Sequence, residues 1–182
     1  MNTVSAVDRK QTGSAPETRV LPLKLATPSA FAPYGQVIMP MEDGSPFGAA
    51  DAQLDLQQGT PRFYSMLLHN RGVVFKHLTR HRLVTQCLGS MLGTAWMLGV
   101  AAPDAASDTP DMSTLAAFLV PGDRFIKLHR GSWHAGPYFS APSALFYNLE
   151  LSDTNIVDHR TCNLEETYGL KFEFGDAPAE EA

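Results

Sequence analysis

Two polar segments of the chain combine histidine with other residues that can take part in acid–base chemistry. The segment RHRLVTQ contains His81 and Gln86, five positions apart. The segment IKLHRGSWHAGPYF contains His129, Trp133 and His134. The pKa of an unperturbed imidazole is about 6.5, so a histidine can exchange a proton near neutral pH, and its ring nitrogens also bind metals. These segments therefore indicate either acid–base catalysis or a metal site.

The spacing alone leaves the geometry of these histidines open. On an unbroken strand, His81 and Gln86 would lie on opposite faces, so they converge only if a turn or bulge separates them. His134 follows Gly131 and Ser132, and a tight turn there could aim its imidazole into a barrel. The alternatives are a surface or hydrogen-bonded core histidine at position 81 and a solvent-facing loop around position 134.

Two charged residues are further candidates for ligand binding. Arg62 begins a strand-like run after a Gly-Pro loop, where it could bind a carboxylate through two parallel hydrogen bonds or could simply be a surface cation. Glu150 lies in the apolar run FYNLELSD. If Phe146, Asn148 and Glu150 share the inner face of a barrel, the carboxylate needs a partner there.

The composition favours one globular domain. The chain has 182 residues, a net charge of -5 and 44% hydrophobic residues, which is typical of a single domain with a sizeable core. The charge gives no basic surface for nucleic acid, and no apolar run is long enough for a transmembrane helix. With two cysteines and no apolar leader at the N-terminus, we expect reduced thiols and a cytoplasmic protein.

The order of the predicted elements indicates an all-β fold. We expect a disordered tail over residues 1–19, one domain over residues 20–174 and a flexible tail over residues 175–182. Short β-type runs separated by Gly, Pro, Asp and Asn turns favour a sandwich or barrel. Residues 39–60 are predicted to form a long loop or a lid. The predicted runs are RFYSMLLH, VVFKHLTRH, TQCLGSML, TAWMLGVA, LAAFLVP, RFIKLH, SALFYNLEL and NIVDHR.

Taken together, four segments resemble the ureidoglycolate lyase family of allantoin degradation. They are LPLKLATPSAFAPYGQVI, DLQQGTPRFYS, LTRHRLVTQCL and LHRGSWHAGP, in that order along the chain. The resemblance covers roughly residues 20–165 and implies a cupin, which is a double-stranded β-helix or jelly-roll barrel, with a few short helices. It also implies a homodimer that splits (S)-ureidoglycolate into glyoxylate and urea.

The resemblance assigns roles to the candidate residues. His81 and Gln86 occupy the first cupin motif and His134 the second, so all three should point into the barrel mouth. We expect His81 and His134 to be catalytic. We expect the substrate, a small carboxylate, to contact Arg62, Gln86, Trp133, Glu150 and His129. Either no cofactor is required, or a divalent metal such as nickel could bind His81, Gln86 and His134.

This chain departs from the family pattern at several positions. Arg82 stands where proline is usual, and Leu151 stands where a late strand usually carries arginine. The stretch Ala135–Gly136 makes the second motif one residue longer. Two alternatives therefore stay open: a non-catalytic or differently specific cupin that binds a small carboxylate, and a metal-dependent oxygenase in which His77 or His129 joins His81 and His134.

Overall fold

A computed structural model describes residues 15–178 of the chain, and within this range β-strands dominate. Three short helices are present there, α1 (Pro28–Phe31), α2 (Thr154–Val157) and α3 (Leu164–Tyr168), together with one 3-10 turn at Met112–Thr114. The strands are β1 (Glu17–Leu21), β2 (Leu23–Leu25), β3 (Gly35–Ile38), β4 (Pro61–His69), β5 (Val74–Phe75), β6 (His77–Arg80), β7 (Gln86–Ser90), β8 (Gly93–Ala101), β9 (Ala116–Gly122), β10 (Phe125–Leu128), β11 (Trp133–Tyr138), β12 (Ser143–Leu151), β13 (Arg160–Asn163) and β14 (Leu170–Phe174).

The described strands form three sheets. A five-stranded sheet has the order β3-β10-β7-β12-β4, and a six-stranded sheet has the order β13-β6-β11-β8-β9-β2. A three-stranded sheet, β1-β14-β5, joins the two ends of the domain. The all-β prediction is confirmed, and the strand content fits a cupin barrel.

The core lies between the two larger sheets. Trp96 and Phe118 of the six-stranded sheet pack with Ile126 and Phe146 of the five-stranded sheet. The rings of Trp96 and Phe146 meet edge to face, with centroids 5.5 Å apart, which is a favourable aromatic geometry. A second cluster, which contains Trp133, packs against the small sheet. None of the helices within residues 15–178 is long and apolar enough to cross a membrane.

Strand alternation determines which side chains face the barrel interior. Along β12, Phe146, Asn148 and Glu150 are buried, whereas Leu145 on the opposite face is partly exposed. These three residues therefore share the inner face of the barrel. Strand β6 ends at Arg80 and β7 begins at Gln86 in the other sheet. The intervening turn provides the change of direction that lets His81 and Gln86 converge.

Two predictions about local structure are wrong. Glu17–Leu21 pairs in parallel with Leu170–Phe174, so residues 17–19 do not belong to a disordered tail; the earlier part of that prediction, residues 1–14, lies outside the described residues. The run NIVDHR is not one strand, since α2 covers Thr154–Val157 and β13 starts at Arg160. Its β-branched residues have no neighbouring strand to pair with in the described structure, and Ile156 is exposed.

Candidate active site

A cavity of about 610 Å³ opens at one end of the barrel. Its volume lies in the usual range for small-molecule sites, about 300–1,000 Å³. His77 and Thr79 of β6 line it, as does His81 just after that strand. Gln86, His134 and Glu150 line the same cavity. The structure thus brings together the three residues of the two cupin motifs and the buried glutamate.

His81 is held in one tautomer. It is buried, and its Nδ1 lies 2.5 Å from the carbonyl oxygen of Asp158. A carbonyl oxygen can only accept, so Nδ1 carries the proton and a neutral ring has its lone pair on Nε2. Burial lowers the pKa of His81, although the Asp158 carbonyl and the nearby carboxylates of Asp158 and Glu150 oppose that effect. His81 is therefore a neutral base at physiological pH.

His134 is buried beside His81. The ring centroids of the two residues are 5.3 Å apart. Burial, with a smaller contribution from His81, lowers the pKa of His134 to about 3. Its Nδ1 approaches the carbonyl oxygen of Ser132 at 3.4 Å, so its neutral tautomer also leaves the lone pair on Nε2. Two adjacent neutral imidazoles consequently form one wall of the cavity.

Glu150 lies at the centre of a hydrogen-bond network. Its side chain is 1% exposed. Gln86 Nε2 donates to Oε2 at 3.0 Å, while Tyr64 Oη and Asn155 Nδ2 donate to Oε1 at 3.2 and 3.1 Å. Asn148 Nδ2 in turn donates to Tyr64 Oη at 3.1 Å. This network supplies the partners that a buried carboxylate requires.

The two arginines near the cavity have different surroundings. Arg62 lies outside the cavity lining, with its guanidinium over the Tyr64 ring at 3.7 Å and its Nη1 4.0 Å from Glu150 Oε1. Arg71 lines the cavity, with its guanidinium 4.5 Å from the centre of the Tyr138 ring. Its Nη2 donates to the carbonyl oxygen of Pro137 at 3.4 Å. Arg71 is therefore better placed than Arg62 to meet a ligand carboxylate.

Two predicted contact residues lie elsewhere. Trp133 is fully buried in the second core cluster, because neighbouring residues on β11 face opposite sides of the sheet and His134 faces the cavity. His129 approaches the Ala32 carbonyl oxygen through Nε2 and Lys127 Nζ through Nδ1, each at 3.2 Å. His129 lies outside the lining of the main cavity. Neither residue is positioned to touch a ligand there.

The sequence analysis missed several residues of the site. His159 lines the cavity, and its ring centroid lies 5.6 Å from that of His81. Asn155, Tyr64 and Asn148 join the network around Glu150. Asn148 and Tyr64 could have been found from alternation, since each lies two residues from a candidate on the same strand. His159 lies in the two-residue connection between α2 and β13, where no periodic pattern exists.

The extra residue of the second motif forms a bulge. Ala135 pairs with Gly99 but Tyr138 pairs with Met97, so three steps along β11 match two steps along β8. Gly136 adopts a φ of +155° at this point. Ala135, Gly136 and Pro137 all line the cavity. The extra residue is thus accommodated locally, and the bulge forms part of one cavity wall.

The donor atoms fit a metal only in part. Within residues 15–178, no group of three or more His, Cys, Asp or Glu side chains is placed to hold a metal ion. The His81 and His134 Nε2 atoms remain as donors that suit nickel and zinc, whereas the amide oxygen of Gln86 is a donor of the type that magnesium, calcium and manganese prefer. Glu150 is already bound by three side chains. A third histidine ligand, as the oxygenase alternative requires, is not supplied by His77 or His129.

Comparison with known proteins identifies one enzyme family. A protein-family model described as ureidoglycolate lyase matches residues 18–169 of the chain. The ureidoglycolate lyase of Escherichia coli (strain K12 / DH10B) is 38% identical over 65 residues, 36% of this chain and 39% of that protein. The ureidoglycolate lyase of Salmonella paratyphi B (strain ATCC BAA-1250 / SPB7) is 42% identical over 62 residues, 34% of this chain and 37% of that protein. These matches span less than two fifths of the relatives' length.

Proposed function

We propose, because the chain belongs to the ureidoglycolate lyase family, that it splits ureidoglycolate into glyoxylate and urea. The observation that carries the proposal is the pair of neutral imidazoles, His81 and His134, in one cavity with an amide and carboxylate network. The family match spans residues 18–169 and includes both histidines. The reaction class would be the elimination of a urea nitrogen from an α-hydroxy acid.

The chemistry needs one proton to move within the substrate. The hydroxyl proton leaves as the carbonyl of glyoxylate forms, the carbon–nitrogen bond breaks, and the departing nitrogen gains a proton to become urea. A neutral histidine can accept the first proton on its free Nε2 and return one to the nitrogen. We assign this transfer to His81, because the carbonyl of Asp158 stabilises the imidazolium that forms. His134 would orient the hydroxyl from the adjacent wall.

The substrate carboxylate needs a cation in the cavity wall. Arg71 meets that requirement, since it lines the cavity, where its guanidinium can pair with the carboxylate of the ligand. Arg62, the residue selected from the sequence, lies beside the Glu150 carboxylate at the rim. Gln86 would hydrogen-bond the ureido group. This arrangement keeps the substrate carboxylate away from the negative charge of Glu150.

A divalent metal remains an option for the same site. His81, His134 and Gln86 would hold it, and when bound it would lower the pKa of the substrate hydroxyl. The proton transfer assigned to His81 needs only side chains of this protein. Nickel, the metal suggested by the family, can be tested directly by adding it to protein treated with EDTA.

Urea release from racemic ureidoglycolate tests the proposal. Purified protein should release urea above the spontaneous rate, form an equal amount of glyoxylate and produce no ammonia, because a hydrolysis of the ureido amide would release ammonia instead. The assay is run with EDTA and with added nickel. Absence of enzyme-dependent urea under both conditions contradicts the lyase function. A carboxylate that raises Tm without turnover would then favour the non-catalytic cupin.

We also propose that two copies of the chain pair through the outer face of the five-stranded sheet in the cytoplasm. On this face Phe63 is 71% exposed and Leu67 is 60% exposed, and Leu67 lies opposite the partly exposed Leu145. Adjacent exposed apolar side chains on one sheet are typical of an interface. Light scattering measures the mass in solution. A dimeric wild type together with a monomeric Leu67→Asp variant supports this pairing, and a monomeric wild type contradicts it.

A further inference from the structure

The buried network fixes the orientation of the Gln86 amide. A carboxylate accepts hydrogen bonds only, so the group that faces Glu150 Oε2 at 3.0 Å must be the NH₂ group of Gln86. The amide oxygen lies in the same plane as the NH₂ group and points away from the Glu150 carboxylate. Among the described residues, Gln86 Oε1 has no hydrogen-bond partner, although the side chain is 6% exposed and lines the cavity.

The same reasoning fixes Asn148. Tyr64 Oη has one hydrogen, which it donates to Glu150 Oε1. The hydroxyl must then accept from Asn148, so the NH₂ group of Asn148 faces Tyr64 at 3.1 Å. Asn148 Oδ1 is consequently directed elsewhere and has no partner in the described part of the chain. Asn148 is 2% exposed and also lines the cavity.

Two buried amide oxygens without donors are energetically costly. A buried acceptor that lacks its hydrogen bond costs roughly 1–3 kcal/mol, and native proteins keep few of them. Gln86 and Asn148 lie on the paired strands β7 and β12 and face the same side of that sheet. Both oxygens are almost closed to solvent, so a ligand reaches them after a small movement of the two amide side chains. A ligand with two N–H groups would then satisfy both oxygens, whereas a simple carboxylic acid offers no such donors.

We propose that Asn148 and Gln86 form an N–H acceptor pair that selects the ureido end of the ligand, with Glu150 and Tyr64 fixing the direction of both oxygens. The inference rests on the proposed function and extends it, because Asn148 becomes a residue that determines specificity. A metal bound at His81 and His134 could compete for the Gln86 oxygen. Asn148 is therefore the residue that isolates recognition of N–H groups.

The inference is tested by comparing how tightly the protein binds two unreactive ligands, oxalurate and oxalate. Oxalurate carries a ureido group and a carboxylate, and oxalate carries carboxylates without N–H groups. In EDTA-treated protein, calorimetry should show that Asn148→Leu weakens oxalurate binding about tenfold, the effect of roughly 1.4 kcal/mol. Oxalate binding should stay unchanged. Leu88→Met serves as the matched control, because Leu88 is paired with Asn148 across the two strands and lines the same cavity.

The two proposals fail in different ways. If the wild type releases urea, and Asn148→Leu leaves both its affinity for oxalurate and its KM for ureidoglycolate unchanged, the acceptor pair is overturned. The lyase function then stands. Oxalurate binding that depends on Asn148 without urea release supports the acceptor pair and overturns the lyase function. Equal losses for oxalurate and oxalate, or an equal loss in Leu88→Met, indicate a general distortion of the cavity and also overturn the pair. Circular dichroism and Tm establish that each variant is folded before it is compared.

Discussion

His81 donates the proton on its Nδ1 to the backbone carbonyl of Asp158, 77 positions later in the chain. The carboxylate of Asp158 accepts the backbone N–H groups of Arg82 and Leu83 at 2.8 and 2.7 Å. One residue thus orients the imidazole through its main chain and fixes the following turn through its side chain. The arrangement defines which nitrogen of His81 is available for chemistry.

Replacing His81 with asparagine separates these two roles. The Asn side-chain NH₂ can occupy the place of Nδ1 and donate to Asp158, but it has no base at the position of Nε2. We expect urea release in His81→Asn to fall by about 10²–10⁴-fold, the usual contribution of a general base. Initial rates of urea release at saturating ureidoglycolate measure this effect.

The control for that variant is His77→Asn, which changes a second cavity-lining histidine on the same strand face. It should retain most of the wild-type kcat. Near-normal turnover in His81→Asn, or an equal loss in His77→Asn, would remove the assignment of His81 as the base.

The buried His134 should make the protein less stable in mild acid. Its pKa is about 3 in the folded protein and about 6.5 in the unfolded chain. Below pH 6.5 the unfolded state binds a proton that the folded state does not, so stability is lost as the pH falls towards 3. Between pH 6.5 and 5 we expect a loss of about 2 kcal/mol from this group, with His81 adding to it.

Guanidinium unfolding at pH 7, 6 and 5 measures the loss. His134→Gln keeps a neutral polar side chain that does not titrate, so its stability should depend less on pH than that of the wild type. An identical slope in both proteins would show that His134 is not the origin of the pH dependence.

The sequence predicts the strands and the inner-facing residues because both follow from local periodicity. The alternation in SALFYNLEL placed Glu150 with Phe146 and Asn148, and the structure has them buried together. The start of α1 is equally local, since the Thr27 hydroxyl accepts from the N–H of Ala30 at 3.2 Å and Pro28 stands at the first helical position. Each of these features depends on neighbours within a few residues along the chain.

The residues that the sequence missed or misplaced depend on tertiary contacts. His159 reaches the cavity because the connection between α2 and β13 lies beside His81, and Arg71 does so because it follows the end of β4. The family resemblance places Trp133 at the ligand, but strand alternation directs adjacent residues to opposite faces, so Trp133 faces the core while His134 faces the cavity. Residues 39–60 form the predicted loop. Its Asp55 binds Thr85 and Arg130 behind the first motif, rather than closing over the cavity as a lid.

The choice between Arg71 and Arg62 can be made by substitution. If Arg71 holds the substrate carboxylate, Arg71→Gln should raise KM about 10–100-fold, because a charge-assisted hydrogen bond contributes roughly 1.5–3 kcal/mol. The turnover number should change much less, since the carboxylate takes no part in bond breaking. Steady-state kinetics of urea release give both constants. Arg62→Gln is the matched control, and a larger KM effect in that variant would transfer the role to Arg62.

The bulge in the second motif should tolerate no side chain at Gly136. Its φ of +155° is rarely adopted by L residues, and an added Cβ would lie 2.7 Å from Leu98 Cδ1 and 3.2 Å from the Met97 carbonyl oxygen. We expect Gly136→Ala to lower the free energy of unfolding by about 1–3 kcal/mol, the usual cost of overpacking. Because Gly136 lines the cavity, KM for ureidoglycolate should rise as well.

Gly59→Ala is the control, since its Cβ would meet Leu151 Cδ1 at an ordinary 3.4 Å. Equal stability of the two variants in guanidinium unfolding would mean that the bulge can relax, and that the extra residue does not constrain the cavity wall.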